Sequence, residues 1–357
     1  MRIVKSVVMT SVLVIASTLA LGCGKRGEGP HAGTTGAALA KASTARIDEG
    51  AINPRLLRRF QPVAPLGFDA PPNEALVELG HVLFFEPRIS ADSTLSCASC
   101  HDLAGGGADA LATSVGVGGK HPKRNTPTVL NAAGAFTQLW DGRGGNVEEM
   151  AFVPLLSPAV MGMPDAATVV TRLRAIPGYE PLFTAAFPGA DLPLSAVSVG
   201  RALGAYERTL STPGRWDKFL AGDKSALDGT EKEGLRTFLN VGCMVCHTGP
   251  LVGGATFERV GVVEAWPNQA DPGRMAVTKN EVDRMMFKVP TLRNVAKTAP
   301  YFHDASAATL PEAVKKMGKH QLGLDLAPRE VETITAWLTA LNGDAPAALI
   351  ARPELPR

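Results

Sequence analysis

Apolar residues recur at helical spacing in four stretches of the chain. Leu76, Leu79 and Leu83 fall on one face of a helix that Pro71 and Pro72 precede and Pro87 closes. Val199, Leu203, Tyr206 and Leu210 keep the same spacing until Thr212-Pro213-Gly214 ends it. Further on, EKEGLRTFLN predicts a helix ending at Gly242, and Val331, Ile334, Leu338 and Leu341 predict another, stopped by Asn342-Gly343. Strand-like alternation is scarce. Two Gly- and Pro-rich stretches, 105–127 and 249–272, carry no periodicity at all. Bare loops of that length are uncommon in compact domains, so they read as segments that wrap a bound group. The pattern predicts a mostly α-helical chain of two domains with long irregular loops, meeting near residues 212–216.

The N-terminus reads differently. Arg2 and Lys5 precede a mainly apolar run, 7–21, too short and wrongly flanked for a membrane span; a secretory signal over 1–22 is expected. Cys23, in LALGC, resembles the cysteine of a bacterial lipobox, which is lipidated and becomes the mature N-terminus. It is also the odd cysteine of five. The Gly-, Ala-, Ser- and Thr-rich stretch that follows reads as a flexible tether, placed over 23–60. That leaves domains at 61–212 and 213–345. Hydrophobic residues make up 45% of the chain and charged ones 20%, enough apolar surface for proper cores. The 36 Lys and Arg, less Arg2 and Lys5, balance the 34 Asp and Glu, and a neutral chain offers nothing to nucleic acid.

The other four cysteines form the same pattern twice: Cys97 and Cys100 followed by His101, and Cys243 and Cys246 followed by His247. Two cysteines at this spacing can both reach the vinyl groups of one haem and form thioethers, and the following histidine then lies under the iron. A thiol redox pair does not require the histidine, least of all twice. Zinc would need the two cysteine pairs brought together from distant parts of the chain. A disulfide between such close cysteines closes a tiny loop and stabilises little. Two c-type haems are therefore expected. A sixth ligand decides between electron transfer and chemistry at each iron, and after the second motif Met275, Met285, Met286, Met317, His303 and His320 are all candidates on spacing alone.

From Leu79 to Asn342 the chain resembles the bacterial di-haem cytochrome c peroxidases and their MauG relatives. The resemblance is carried by LGHVLFFEPRIS, LSCASCHDLAGGGAD, RNTPTVLNAA, LWDGRGGNVEE, SPAVMGMP, GCMVCHTGPLVGG, FKVPTLRNVAKTAPYFHD and TLPEAVKKMGKHQLG. It implies two cytochrome-c-like domains in tandem, each holding one covalent haem, with a calcium ion at their interface. His101 then corresponds to the proximal ligand of the N-terminal, low-potential haem, and His247 and Met317 to the ligands of the C-terminal, high-potential haem. MauG has a tyrosine in place of Met317, which points this chain toward the peroxidases. Trp140 matches the tryptophan lying between the haems, and Asn125, Thr298 and Pro300 match the calcium position, where oxygen donors suit a hard cation. His303 matches a histidine near the interface.

One part of the resemblance fails. Val117 stands where the peroxidases have a distal histidine, Met150 where they have a glutamine, and Val160 where they have the catalytic glutamate. Peroxide needs a group that moves a proton from one oxygen to the other as the bond breaks, and valine and methionine have none. His121, four residues beyond Val117, is the substitute base to look for. The resemblance implies an enzyme that reduces hydrogen peroxide with electrons from a small donor protein, a cytochrome c or a cupredoxin; the signal and LALGC place it in the periplasm, lipid-anchored through Cys23. A homodimer is compatible with it, and the membrane is met only through the lipid. The competing reading is a di-haem electron carrier or redox sensor without peroxidase chemistry; a MauG-like oxidase of a partner protein fits less well.

Overall fold

The structure, a computed structural model, describes residues 52–63 and 73–357. The expected signal, Cys23 and the tether up to residue 51 lie outside the described residues, as do Pro71 and Pro72. Seven longer helices carry the architecture: α1 (Glu74–Phe84), α2 (Ala166–Arg174), α3 (Tyr179–Ala186), α4 (Ala196–Thr209), α5 (Gly229–Val241), α6 (Leu310–Met317) and α7 (Pro328–Thr339). Among the described residues the only sheet is an antiparallel pair, β1 (Phe257–Arg259) and β2 (Met286–Lys288), with Lys288 opposite Phe257.

Local chemistry fixes the helix ends. Asn73 caps α1 by accepting from the Ala75 N–H at 3.0 Å, and Ser195 caps α4 through the Ser198 N–H. Asp228 and Glu231 cap α5 reciprocally, at 2.8 and 2.9 Å, and Thr309 and Glu312 do the same for α6. Gly242, at φ 102°, stops α5 one residue before Cys243.

The helices sort into two cores. α1, α2, α3 and α4 close over Leu79, Leu83, Phe84, Tyr179, Phe183, Val199, Leu203 and Tyr206, all at most 1% exposed. α5 and α7 close over Trp216, Leu235, Phe238, Ile334 and Trp337. In each core the helix before the Cys-X-X-Cys-His motif crosses the last helix of that half at a glycine. A Cβ on Gly80 would sit 1.9 Å from the Ala202 carbonyl oxygen, and one on Gly234 would sit 1.8 Å from that of Thr333. Main chain thus lies directly on main chain at both crossings.

The junction repeats the same symmetry. Asn131 and Asn294, both left-handed at φ 61° and 59°, each donate a side-chain N–H to the buried Thr212 hydroxyl at 2.7 Å. The Asn131 main-chain N–H reaches Leu210, after α4, while that of Asn294 reaches Leu341, after α7. Thr212 thus takes a side-chain hydrogen bond from an asparagine of each core. Close by, Arg293 and Asp217 form a buried bidentate pair at 2.7 and 2.8 Å.

Two expectations need correction at the ends of the chain. Residues 52–60 are not tether. Pro54–Leu57 is helical, Phe60 packs edge-on to Trp216 with centroids 5.6 Å apart, and Gly249 donates to the Arg59 carbonyl. Val63, placed in the N-terminal domain, donates to Asp217 at 2.7 Å and so belongs to the C-terminal half. Conversely, residues beyond 345 return to the first half. Tyr206 donates to the Leu349 carbonyl, His81 to that of Ala351 and Arg88 to that of Pro356, while Gly178 reaches Arg357. Among the described residues, 52–63 cover the second core and 346–357 the first.

Candidate functional site

A cavity of about 1370 Å³ is lined by both motifs: Cys100 and His101 on one side, Cys243, Cys246 and His247 on the other. This exceeds the roughly 300–1,000 Å³ of an ordinary small-molecule pocket. The two loops without periodicity supply much of its wall, including Pro122 to Pro127 and Ala270 to Pro272, and Trp140 lies on it. Cys97 lines a smaller adjoining cavity with His101, Met150 and Val160.

The residues fit haem on three counts. All four cysteines are free thiols, and burial pushes Cys97 and Cys243 up to about 12, so they stay protonated rather than standing as reactive thiolates. The two histidines are oriented alike. His101 donates through Nδ1 to the Gly107 carbonyl at 3.0 Å, and His247 through Nδ1 to the Val252 carbonyl at 3.3 Å. Each bond leaves Nε2 as the free, lone-pair-bearing nitrogen that a metal takes. Burial, finally, lowers the pKa of both, that of His247 to about 4, which keeps the rings neutral.

Of the six residues that spacing offered as a further ligand, Met317 and His303 line the cavity. Met285 is buried against Trp266 and Phe287, and His320 is turned toward the Glu264 carbonyl, which its Nδ1 meets at 3.0 Å. Met317 ends α6, whose capping box and Pro311 fix where that last turn falls.

Trp140 is half-buried and held from both halves: its indole N–H donates to the Asn125 carbonyl at 2.9 Å, and its own carbonyl accepts from the Lys288 N–H at 2.8 Å. Asn125 in turn donates through Nδ2 to the Pro300 carbonyl at 3.1 Å, and its main-chain N–H reaches the His303 carbonyl. Asn125, Thr298 and Pro300 therefore converge on one edge of the cavity, while the Thr298 hydroxyl is turned to Val295. Arg124 ties the same edge together through Asp141 and Asp271.

The structure does not bring His121 to this cavity. Gly116 donates to the Lys120 carbonyl at 2.7 Å, which closes a tight turn and sends His121 outward, exposed and next to Thr113. Val117 packs over Gly162, and its N–H meets the Val160 carbonyl at 2.8 Å. Met150 and Val160 do line both cavities, so the apolar replacements occupy the wall.

Sequence reasoning missed Glu207, from α4. It is 4% exposed, lines the smaller cavity and has no partner for Oε2. Burial, with Glu148 adding repulsion, raises it to about 8. Nothing in the sequence marks it apart from its neighbours on a buried helix face.

A largely helical, two-core fold in which one large cavity is lined from both Cys-X-X-Cys-His motifs defines a di-haem c-type protein. The chain belongs to the di-haem cytochrome c peroxidase family and is an oxidoreductase of that family; the family's model matches residues 74–225. It is 41% identical to the cytochrome c551 peroxidase of Nitrosomonas europaea over 80% of this chain and 85% of that one. Identity is 43% to the cytochrome c551 peroxidase of Pseudomonas aeruginosa, over 77% and 81%. A methylamine utilization protein MauG, from Methylorubrum extorquens, is 34% identical over 92% and 95%. Among solved structures, a MauG-like protein associated with microbial copper homeostasis superposes with a TM-score of 0.70 at 28% identity, covering 82% of this chain and 95% of that one.

Proposed function

We propose that this chain is a periplasmic peroxidase that holds two covalent c-type haems and reduces hydrogen peroxide to water with electrons from a small donor protein, a cytochrome c or a cupredoxin. The observation that carries the reading is the one cavity shared by His101, Trp140, His247 and Met317. Bound there, haem supplies an iron that takes up and passes on single electrons. The protein does the rest. Cys97 with Cys100, and Cys243 with Cys246, tether the two groups; His101 and His247 present Nε2. Met317, on the same cavity wall, would supply a thioether to the C-terminal haem, which would suit that haem to accepting electrons. Trp140, bonded to both halves, lies on the route to the first haem. Peroxide binds beside Met150 and Val160, which exclude water but hold no proton.

Calcium at Asn125, Thr298 and Pro300 belongs to the same reading. It requires the Asn125 amide to turn its Oδ1, rather than Nδ2, toward the Pro300 carbonyl, giving up the Nδ2 bonds to the Leu111 and Pro300 carbonyls in exchange for the cation. Export and a lipid anchor at Cys23 rest on Arg2, Lys5, the apolar run and LALGC.

The test is steady-state peroxide turnover with a reduced cytochrome, alongside haem quantification and absorption spectra. Two haems per chain and a methionine–iron charge-transfer band that disappears in Met317→Ala are expected. Absence of covalent haem would overturn the proposal.

A further inference from the structure

The stretch from Met150 to Pro164 carries no charged side chain, and Ser157 is its one hydroxyl. From it Met150, Val153, Pro154, Ala159 and Val160 line the cavity that His101 also lines. Each is half-buried, so part of its apolar surface faces that space rather than the core. Leu155, Met161 and Met163, at most 3% exposed, pack into the core behind them. Main-chain donors of the stretch are spent as well. The N–H groups of Val160 and Gly162 reach the Ser157 carbonyl at 3.0 and 2.9 Å, and those of Met161 and Met163 reach the Pro154 and Leu155 carbonyls. The carboxylates elsewhere on the large cavity are taken. Asp141 and Asp271 bind Arg124, Asp304 accepts from the Trp266 indole, and the charge of Glu258 is felt at Cys246 of the second motif. Glu207 opens only on the smaller adjoining cavity.

A wall of this kind recognises apolar surface and little else. Hydrogen peroxide brings none. Binding it here exchanges its hydrogen bonds to water for contacts with side chains that form none, which is unfavourable. An organic hydroperoxide, ROOH, carries the same O–O bond and adds an apolar group R. Burying two methylene-sized groups of R favours it by about tenfold. The reduction itself balances in the same way for either peroxide. As the O–O bond of ROOH breaks, two electrons arrive from the donor protein and two protons from water. One oxygen leaves as the alcohol ROH and the other as water.

We propose that the pocket beside Met150 and Val160 takes organic hydroperoxides with an apolar R group in preference to hydrogen peroxide, and reduces them to alcohols. The inference rests on the peroxidase reading above. Residues 150–160 are then a recognition surface for R, not simply a wall without a proton to move.

The experiment uses the purified holoprotein with a reduced cytochrome as donor, and compares hydrogen peroxide, tert-butyl hydroperoxide and cumene hydroperoxide. KM should fall in that order, by about tenfold or more from first to last, with cumyl alcohol as the product of the third. Binding is read separately, by calorimetry of cumyl alcohol with the oxidised holoprotein, where a negative heat-capacity change marks apolar burial. Val160→Thr keeps the shape of the side chain and adds a hydroxyl. Combined with Met150→Gln, it should weaken cumyl alcohol binding and raise the KM for cumene hydroperoxide, each by about tenfold, without raising that for hydrogen peroxide. If this double variant loses haem, Val153→Ala, which shortens the same wall, takes its place in both measurements. Equal KM values for the three peroxides, or alcohol binding that the wall variant leaves unchanged at full haem content, would overturn the proposal. So would acetophenone in place of the alcohol, the mark of one-electron cleavage. Turnover confined to hydrogen peroxide sinks this inference alone, whereas no turnover with any of the three, both haems being present, sinks the peroxidase reading itself.

Discussion

Met150 and Val160 set the chemistry of the pocket by what they lack. Both line the cavity beside His101, and neither carries a titratable group. A positioned acid–base group contributes roughly a hundred- to ten-thousandfold to such a step. Val160→Glu combined with Met150→Gln should therefore raise peroxide turnover by a large part of that range, measured with a reduced cytochrome as donor. A double variant no faster than the native protein would mean that another group already moves the proton, and Glu207 would be the first to replace. Away from the cavity, Glu86 gives a pH signature. Its burial works to raise its pKa, but hydrogen bonds from Arg88 and Tyr179 overcome this and hold it below the ordinary 4.5. The group's stabilisation is thus present above the unfolded value and lost as pH falls through the lower folded one. Glu86→Gln should cost about 1–3 kcal/mol at pH 7 by chemical denaturation, with the gap to wild type closing in acid. A gap that stays constant from pH 7 to pH 3 would refute this. At this scale the sequence was legible where covalent chemistry dictates spacing, as at Cys97, Cys100 and His101. It was not legible where burial decides: His121 is turned out by the Gly116–Lys120 bond, and Glu207 acquires its character only from what surrounds it.

Elements were read best where an apolar face and a cap coincide. α1, α4, α5 and α7 all lie where the periodicity placed them, because each buries a continuous apolar face in its core. The short helix Pro54–Leu57 escaped notice, since four residues show no period and it is held by Trp216 and its neighbours rather than by propensity. The glycine crossings make the pairing testable. Gly80→Ala or Gly234→Ala must push two helices apart against a main-chain carbonyl that cannot move alone. Each should cost about 1–3 kcal/mol or more and lower the melting temperature. An alanine tolerated at both positions, with no change in thermal unfolding, would mean that the helices cross further apart than described.

At the scale of the whole molecule, pattern reading is weakest. The helices of the two cores followed from periodicity, but the crossing of segments between the cores did not, because neither 52–63 nor 346–357 carries a pattern that names its partner. Leu349, Ile350 and Leu355 pack against the first core, while Leu56, Leu57 and Phe60 pack against the second. Deleting residues 346–357 should therefore destabilise the half that holds Cys97, by about 3 kcal/mol if two or three apolar side chains lose their cover. Hydrogen exchange that localises the loss to 74–209 would confirm it; exchange that quickens only around α7 would count against it. The crossing also imposes an order on biosynthesis. The ribosome makes 346–357 only after the second half, so the core around Cys97 gains that cover only once the second half has been synthesised. Proteolytic loss of 346–357 would be felt in the half that holds the first haem motif, far upstream in the chain.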